Sequence, residues 1–257
     1  MMNDGRAPDL RFRHYPWLVK LLAVCIVIQL SLVICDLTIN WLDWSESGAI
    51  RRLFNITRED GLASLFAVIQ TLAVAVTTWL IALLVSGTHS SRFLRVGWVF
   101  LAVFFTVMAI DDGAKVHERL GTVYKENNTE VYFFSYGWQK IIAPVYALCG
   151  VLMAAFLWCL GRDSIRRPFI VAALGLLASA MLIDFWEGVS NGYVYLLGID
   201  PKDVDTVTHF SKSLEEFLEM LAMSLLLVAF LEYLLRLTWS VEIRISKGRI
   251  SLTDRRT

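Results

Sequence analysis

Acidic and imidazole side chains gather at the ends of three apolar runs. The first reads Asp111-Asp112-Gly-Ala-Lys115-Val-His117-Glu118-Arg119, the second Asp184-Phe-Trp-Glu187, and the third His209-Phe-Ser-Lys212-Ser213-Leu-Glu215-Glu216-Phe-Leu-Glu219-Met220. Carboxylates with two histidines are the donor set that helical bundles use for divalent iron, zinc or manganese. The candidate ligands are Asp111, Asp112, His117, Asp184, Glu187, His209, Glu215 and Glu219. Glu216 or Glu118 would then act as general base on a metal-bound water or oxygen.

Depth supports a common site. Counting from the basic residue at the far end of each run, Arg95 to Asp111 is 16 residues, and Arg167 to Asp184 and Arg236 to Glu219 are 17 each. At the helical rise these are about 24–26 Å, so in a hydrocarbon core of about 30 Å the three carboxylates reach one level. Facing agrees on the last run, where a helix begun before His209 puts His209, Lys212, Glu215, Glu216 and Glu219 within an arc of about 120°. Asp184, Glu187 and Asn191 share one face, and so do Asp111, Lys115 and Glu118. His117 joins them only if Gly113 bends its helix or the site is broad. Against the eight carboxylates of these stretches stand Lys115, Arg119 and Lys212. Unpaired carboxylates at a low-dielectric boundary cost several kcal/mol each, so convergence requires either protonation or bound cations.

Plainer readings exist for parts of the pattern. Ser213-Leu-Glu215-Glu216 has the form of a capping box, which would explain Glu215 and Glu216 but not Glu219. Asp111 with Lys115, and Lys212 with Glu216, are ordinary i,i+4 pairs. Asp36 near the end of the first apolar run could supply a further acid but reads first as an interfacial residue, Gln70 reads as a hydrogen-bonding partner for a neighbouring helix, and Glu232 with Arg236 as a structural pair.

The elements that must hold these residues are membrane helices. The 257-residue chain is 56% hydrophobic with a formal net charge of zero, above the apolar share of about 45–50% in soluble domains. No basic surface for nucleic acid is present. Apolar runs at 17–38, 62–86, 94–112, 138–160, 168–188 and 212–236 give an all-α, polytopic membrane protein of six transmembrane helices. The first run lacks a small-x-small cleavage site and reads as a retained helix. Pro144 is expected to kink the fourth. Cys25, Cys35, Cys149 and Cys159 fall in the runs as apolar packers, without a disulfide. Residues 1–236 form the transmembrane domain and 237–257 a short tail, alternating around Lys247-Gly248 as a β-hairpin would.

Charge sets the orientation. The termini and the two short loops hold 15 of the 24 basic and 6 of the 24 acidic residues, a surplus of +9 against −9 on the other side. The positive-inside rule therefore puts both termini in the cytoplasm. Asn55-Ile-Thr and Asn127-Asn-Thr fit the glycosylation pattern on the opposite side.

With the acidic pair Asp111-Asp112, then His117-Glu118-Arg119-Leu120, and the late Glu215-Glu216-Phe-Leu-Glu219-Met220, the chain resembles a group of bacterial multi-pass membrane proteins with the same motifs. The resemblance implies a bacterial inner-membrane location and no particular activity. The residue set differs from that of the alkaline ceramidase type of intramembrane zinc hydrolase, to which the chain is similar only in size and acidic helices. That family uses three histidines and a serine, whereas only His117 and His209 lie on the acidic side here.

Three functions fit. A metal-dependent membrane enzyme would act on a lipid or a periplasmic small molecule. A transporter or sensor would take up protons or divalent cations, although no ionisable residue is aligned below the cluster in the cytoplasmic halves of the runs. A structural subunit would neutralise its acids with a membrane protein partner or a second copy of itself.

Overall fold

The computed structural model describes residues 15–87, 90–127, 137–160, 167–189, 192–246 and 249–254. The helices are α1 (Pro16–Asp36, continued by a π turn, Leu37–Trp41), α2 (Gly48–Phe54), α3 (Leu62–Ser86), α4 (Arg92–Ala114) and α5 (Val116–Asn127). They continue with α6 (Gly137–Leu160), α7 (Arg167–Gly188), α8 (Gly192–Leu197) and α9 (Val204–Ser240), the last entered through a 3-10 turn, Pro201–Asp203.

Six helices are long and apolar enough to cross a bilayer, spanning Pro16–Trp41, Leu62–Ser86, Arg92–Ala114, Ile142–Leu160, Arg167–Gly188 and Pro201–Thr238. The protein is thus a helical, multi-pass membrane protein. Its outward surface agrees: Val19, Leu83, Val96, Leu148, Val151 and Leu182 are all exposed, a pattern that water would penalise and lipid tails accept.

Local signals explain several boundaries. Pro16 occupies the first turn of α1, where its missing N–H costs nothing. Ser91 caps α4, its hydroxyl accepting from Leu94 N at 3.3 Å. Thr71, Thr77, Thr78 and Thr106 return their hydroxyl protons to carbonyls four residues earlier, which hides polar groups inside apolar helices. Helix α6 runs through Pro144.

Helix α9 is the axis of the bundle, packing against α1, α3 and α7, while α4 lies on α3. Its 37 residues span about 55 Å, so it outreaches the hydrocarbon core by several turns. The main core centres on Trp98, fully buried with its ring edge-on to Phe156 and Phe230 at 5.7 and 5.5 Å. Gly97 lets α6 come close, because a Cβ there would sit 2.1 Å from the Phe156 ring.

The tail forms β1 (Val241–Ser246) and β2 (Arg249–Asp254), antiparallel with Val241 opposite Asp254 and Ser246 opposite Arg249. This matches the alternation in sequence; Lys247 and Gly248 lie outside the described residues.

Candidate functional site: a carboxylate chamber at the acidic end

The acidic ends of α4, α7 and α9 meet, as depth counting anticipates. Glu219 on α9 interacts electrostatically with Glu216, with Asp112 of α4, with Asp184 of α7 and with Glu59 of the turn before α3. Glu215 is within similar reach of Glu219, Asp184, Glu216 and Glu187. With Asp111, which acts on Asp112, these seven make eight carboxylates gathered in one cluster, the carboxylate chamber. Lys115 and Lys212 are the amines beside them, with Lys115 Nζ 3.7 Å from Glu59 and Lys212 Nζ 3.9 Å from Glu187. Each lysine thus reaches across to another element, and Lys212 also interacts with Glu216 four residues on, as spacing suggests.

A break in the chain brings His117 to this cluster. Helix α4 ends at Ala114, and Lys115 takes the left-handed conformation, φ 54°, with its N–H bonded to Asp111 O. A non-glycine residue there stores strain of about 1 kcal/mol. The bend is at Lys115 and not at Gly113, and it folds α5 back so that His117 covers Asp111. His117 N donates to Asp111 Oδ1 at 2.8 Å, while its ring Nδ1 lies 3.3 Å from Asp111 Oδ2 and Nε2 lies 3.8 Å from Glu59 Oε1. Both imidazole nitrogens thus face carboxylates. Burial opposes the charged ring, but the hydrogen bond and charge of Asp111, with Glu59 and Asp112, outweigh it and raise the His117 pKa above its ordinary 6.5.

Helix α6 completes the wall with neutral donors. Tyr146 OH donates to Asp111 Oδ2 at 2.5 Å, and Gln139 Nε2 to Asp184 Oδ2 at 2.8 Å. The Glu215 Oε2 atom is buried and has no hydrogen-bond partner among the described residues.

His209 lies elsewhere. Its Nε2 is 3.0 Å from Oδ2 of Asp36, which is buried at the end of α1 and also accepts from Asn40 Nδ2 at 3.0 Å. Asp36 is therefore a structural partner and more than an interfacial residue. Ser213, inside α9, donates to His209 O at 2.8 Å. It is not an N-cap, so the capping-box explanation of Glu215 and Glu216 fails. Glu118 belongs to α5, but its side chain lies outside the described residues, as does Asn191.

Among the described residues no three of His, Cys, Asp and Glu stand close enough to hold one metal ion between them. The chamber collects acids without focusing them on a point.

About one and a half turns below Glu219 lies an uncharged knot. Ser224 Oγ accepts from Gln29 Nε2 at 2.8 Å and from Gln70 Nε2 at 2.7 Å, and Gln29 also donates to Met220 O at 2.9 Å. The knot ties α1, α3 and α9 together, which realises the interhelical bond expected of Gln70.

Sequence reasoning passed over Glu59, Gln139 and Tyr146. Glu59 gave no periodic signal because a turn delivers it. Gln139 and Tyr146 did, since seven residues apart at an acidic helix end they share a face.

A family model described as a domain of unknown function, DUF8692, matches residues 18–234. No curated protein and no solved structure matches the chain.

Proposed function

We propose that this chain, which belongs to the DUF8692 family, is a multi-pass membrane protein that takes up protons from the side its acidic end faces, as a proton-linked transporter or sensor. The carrying observation is His117, held between Asp111 and Glu59, the latter in electrostatic reach of Glu216 and Glu219. A histidine flanked by two carboxylates passes a proton from one ring nitrogen to the other, and the acids behind it are the acceptors. The spread of donors favours this reading, because protons need single carboxylates whereas a metal ion needs three or four converging ones. Positive-inside charge bias supports an inner-membrane orientation with the acidic end in the periplasm.

Infrared spectroscopy of the purified protein tests the reading. A protonated-carboxyl band at neutral pH is expected in the wild type and should shrink in Glu219→Gln. A wild type without that band refutes proton storage in the chamber.

The second reading is a divalent iron, zinc or manganese ion drawn in by Asp111, Asp112, His117, Asp184, Glu187, Glu215 and Glu219, with Glu216 or Glu118 as base toward a lipid or periplasmic substrate. The nitrogen and oxygen donors around His117 support it, since small side-chain shifts would bring them onto one ion. Elemental analysis decides, by stoichiometric metal that is lost in Glu219→Ala and His117→Ala.

A further inference from the structure

A cavity of about 600 Å³ opens between the π turn after α1, helix α2, the turn at 55–58 and the first turns of α9. Arg51, Arg52 and Arg58 line it, with Asn40, Trp41 and His209, against a single lining carboxylate, Asp205. These three are most of the arginines on the side of the chain that otherwise carries a surplus of negative charge. Their presence on one cavity wall is the opposite of what a solvated acidic surface needs.

The arginines are held in place before any ligand arrives. Arg51 Nη1 lies 2.7 Å from Asp43 Oδ1 and its Nη2 donates to Asn40 O at 2.9 Å. Arg52 and Arg58 share a single carboxylate, with Arg52 Nε 2.7 Å from Asp60 Oδ2 and Arg58 Nε 2.9 Å from Asp60 Oδ1. Two cations on one anion leave a net positive charge. Each guanidinium has five N–H donors and spends two of its three nitrogens on these partners, so donors remain for a further anion. His209 is fixed on the same wall by Asp36 and by Trp41, whose ring stacks on it at 6.3 Å and 20°.

We propose that this cavity binds a terminal phosphate group, that of a phosphomonoester, in preference to a phosphodiester. Several forked guanidinium groups with surplus donors match a phosphate, which offers three or more acceptor oxygens and carries one or two charges. The volume lies in the range of small-molecule sites. Exposed Trp41 and Trp44 beside it are residues that settle at the headgroup level of a bilayer, which places lipid phosphates within reach as well as free phosphoesters.

Titration calorimetry on the full chain in neutral detergent tests this, with short-chain phosphatidic acid, short-chain phosphatidylcholine and inorganic phosphate as probes. Binding of both phosphatidic acid and inorganic phosphate supports a site for free phosphoesters. Binding of phosphatidic acid alone, above phosphatidylcholine, supports a lipid headgroup site. Arg51→Gln and Arg52→Gln should each weaken binding by at least tenfold, and Arg119→Gln on α5 should leave it within twofold. Should loss of Arg52 unfold the turn that Asp60 ties down, Arg51→Lys keeps the charge and loses the fork, and a several-fold weakening is still expected. The proposal is overturned if neither phosphatidic acid nor phosphate binds more tightly than phosphatidylcholine, or if both Arg51 variants bind as the wild type does.

Discussion

His117 shows how much one side chain's surroundings can decide. With Asp111 on one ring nitrogen and Glu59 on the other, the fold favours imidazolium, so the folded-state pKa is raised. The stability it contributes is complete below the unfolded value of about 6.5 and is lost as pH rises through the higher folded value. Thermal unfolding followed across that range should show the wild type weakening with rising pH, and His117→Gln should remove that part of the slope. Equal slopes in the two proteins would contradict the pairing. At the knot, Ser224→Ala strips two buried amides of their shared acceptor and should cost about 1 kcal/mol. The triple variant Gln29→Leu, Gln70→Leu, Ser224→Ala removes donors and acceptor together and should unfold near the wild type. A triple variant far less stable than Ser224→Ala would show that the amides do more than satisfy one another.

Among the elements, α9 carries the architecture because it meets α1, α3 and α7 along its length and brings three glutamates to their acidic ends. Its start well before the apolar run begins makes Ser213 an interior residue and puts His209 against α1. The α4–α6 contact depends on Gly97, where a methyl group would overlap the buried Phe156 ring. Gly97→Ala should destabilise the bundle by about 1–3 kcal/mol, as overpacking does, and Gly97→Ala with Phe156→Leu should recover most of it. Unfolding measurements on the two variants check this, and an unaffected Gly97→Ala would mean the ring moves aside at no cost. The break at Lys115 matters equally: without it, α4 would continue and carry His117 about 120° away from Asp111.

For the whole molecule, the separation of charge along the bundle axis predicts topology. Lys202→Cys and Arg249→Cys, in a background without the native cysteines, should differ toward a membrane-impermeant thiol reagent on intact cells, with only position 202 labelled. Labelling of position 249 alone would invert the orientation and with it the side from which the chamber fills. The six spans, the layer of Asp111, Asp184 and Glu219, and the tail strands were legible in the sequence for one reason. Hydrocarbon demands about 20 apolar residues per helix, and a fixed rise per residue turns spacing into depth. The partners of the two histidines were not legible. They depend on a left-handed residue at 115, on a turn that delivers Glu59, and on the rotation of α9 against α1, each worth only a kcal/mol or so locally and settled by packing. Composition and charge thus determined that this chain spans a membrane with its acids at one end. Tertiary structure alone decided that His117 pairs with Asp111 and Glu59 while His209 joins Asp36 beside the arginine-lined cavity, because pairing across helices follows their relative rotation, which no single segment encodes.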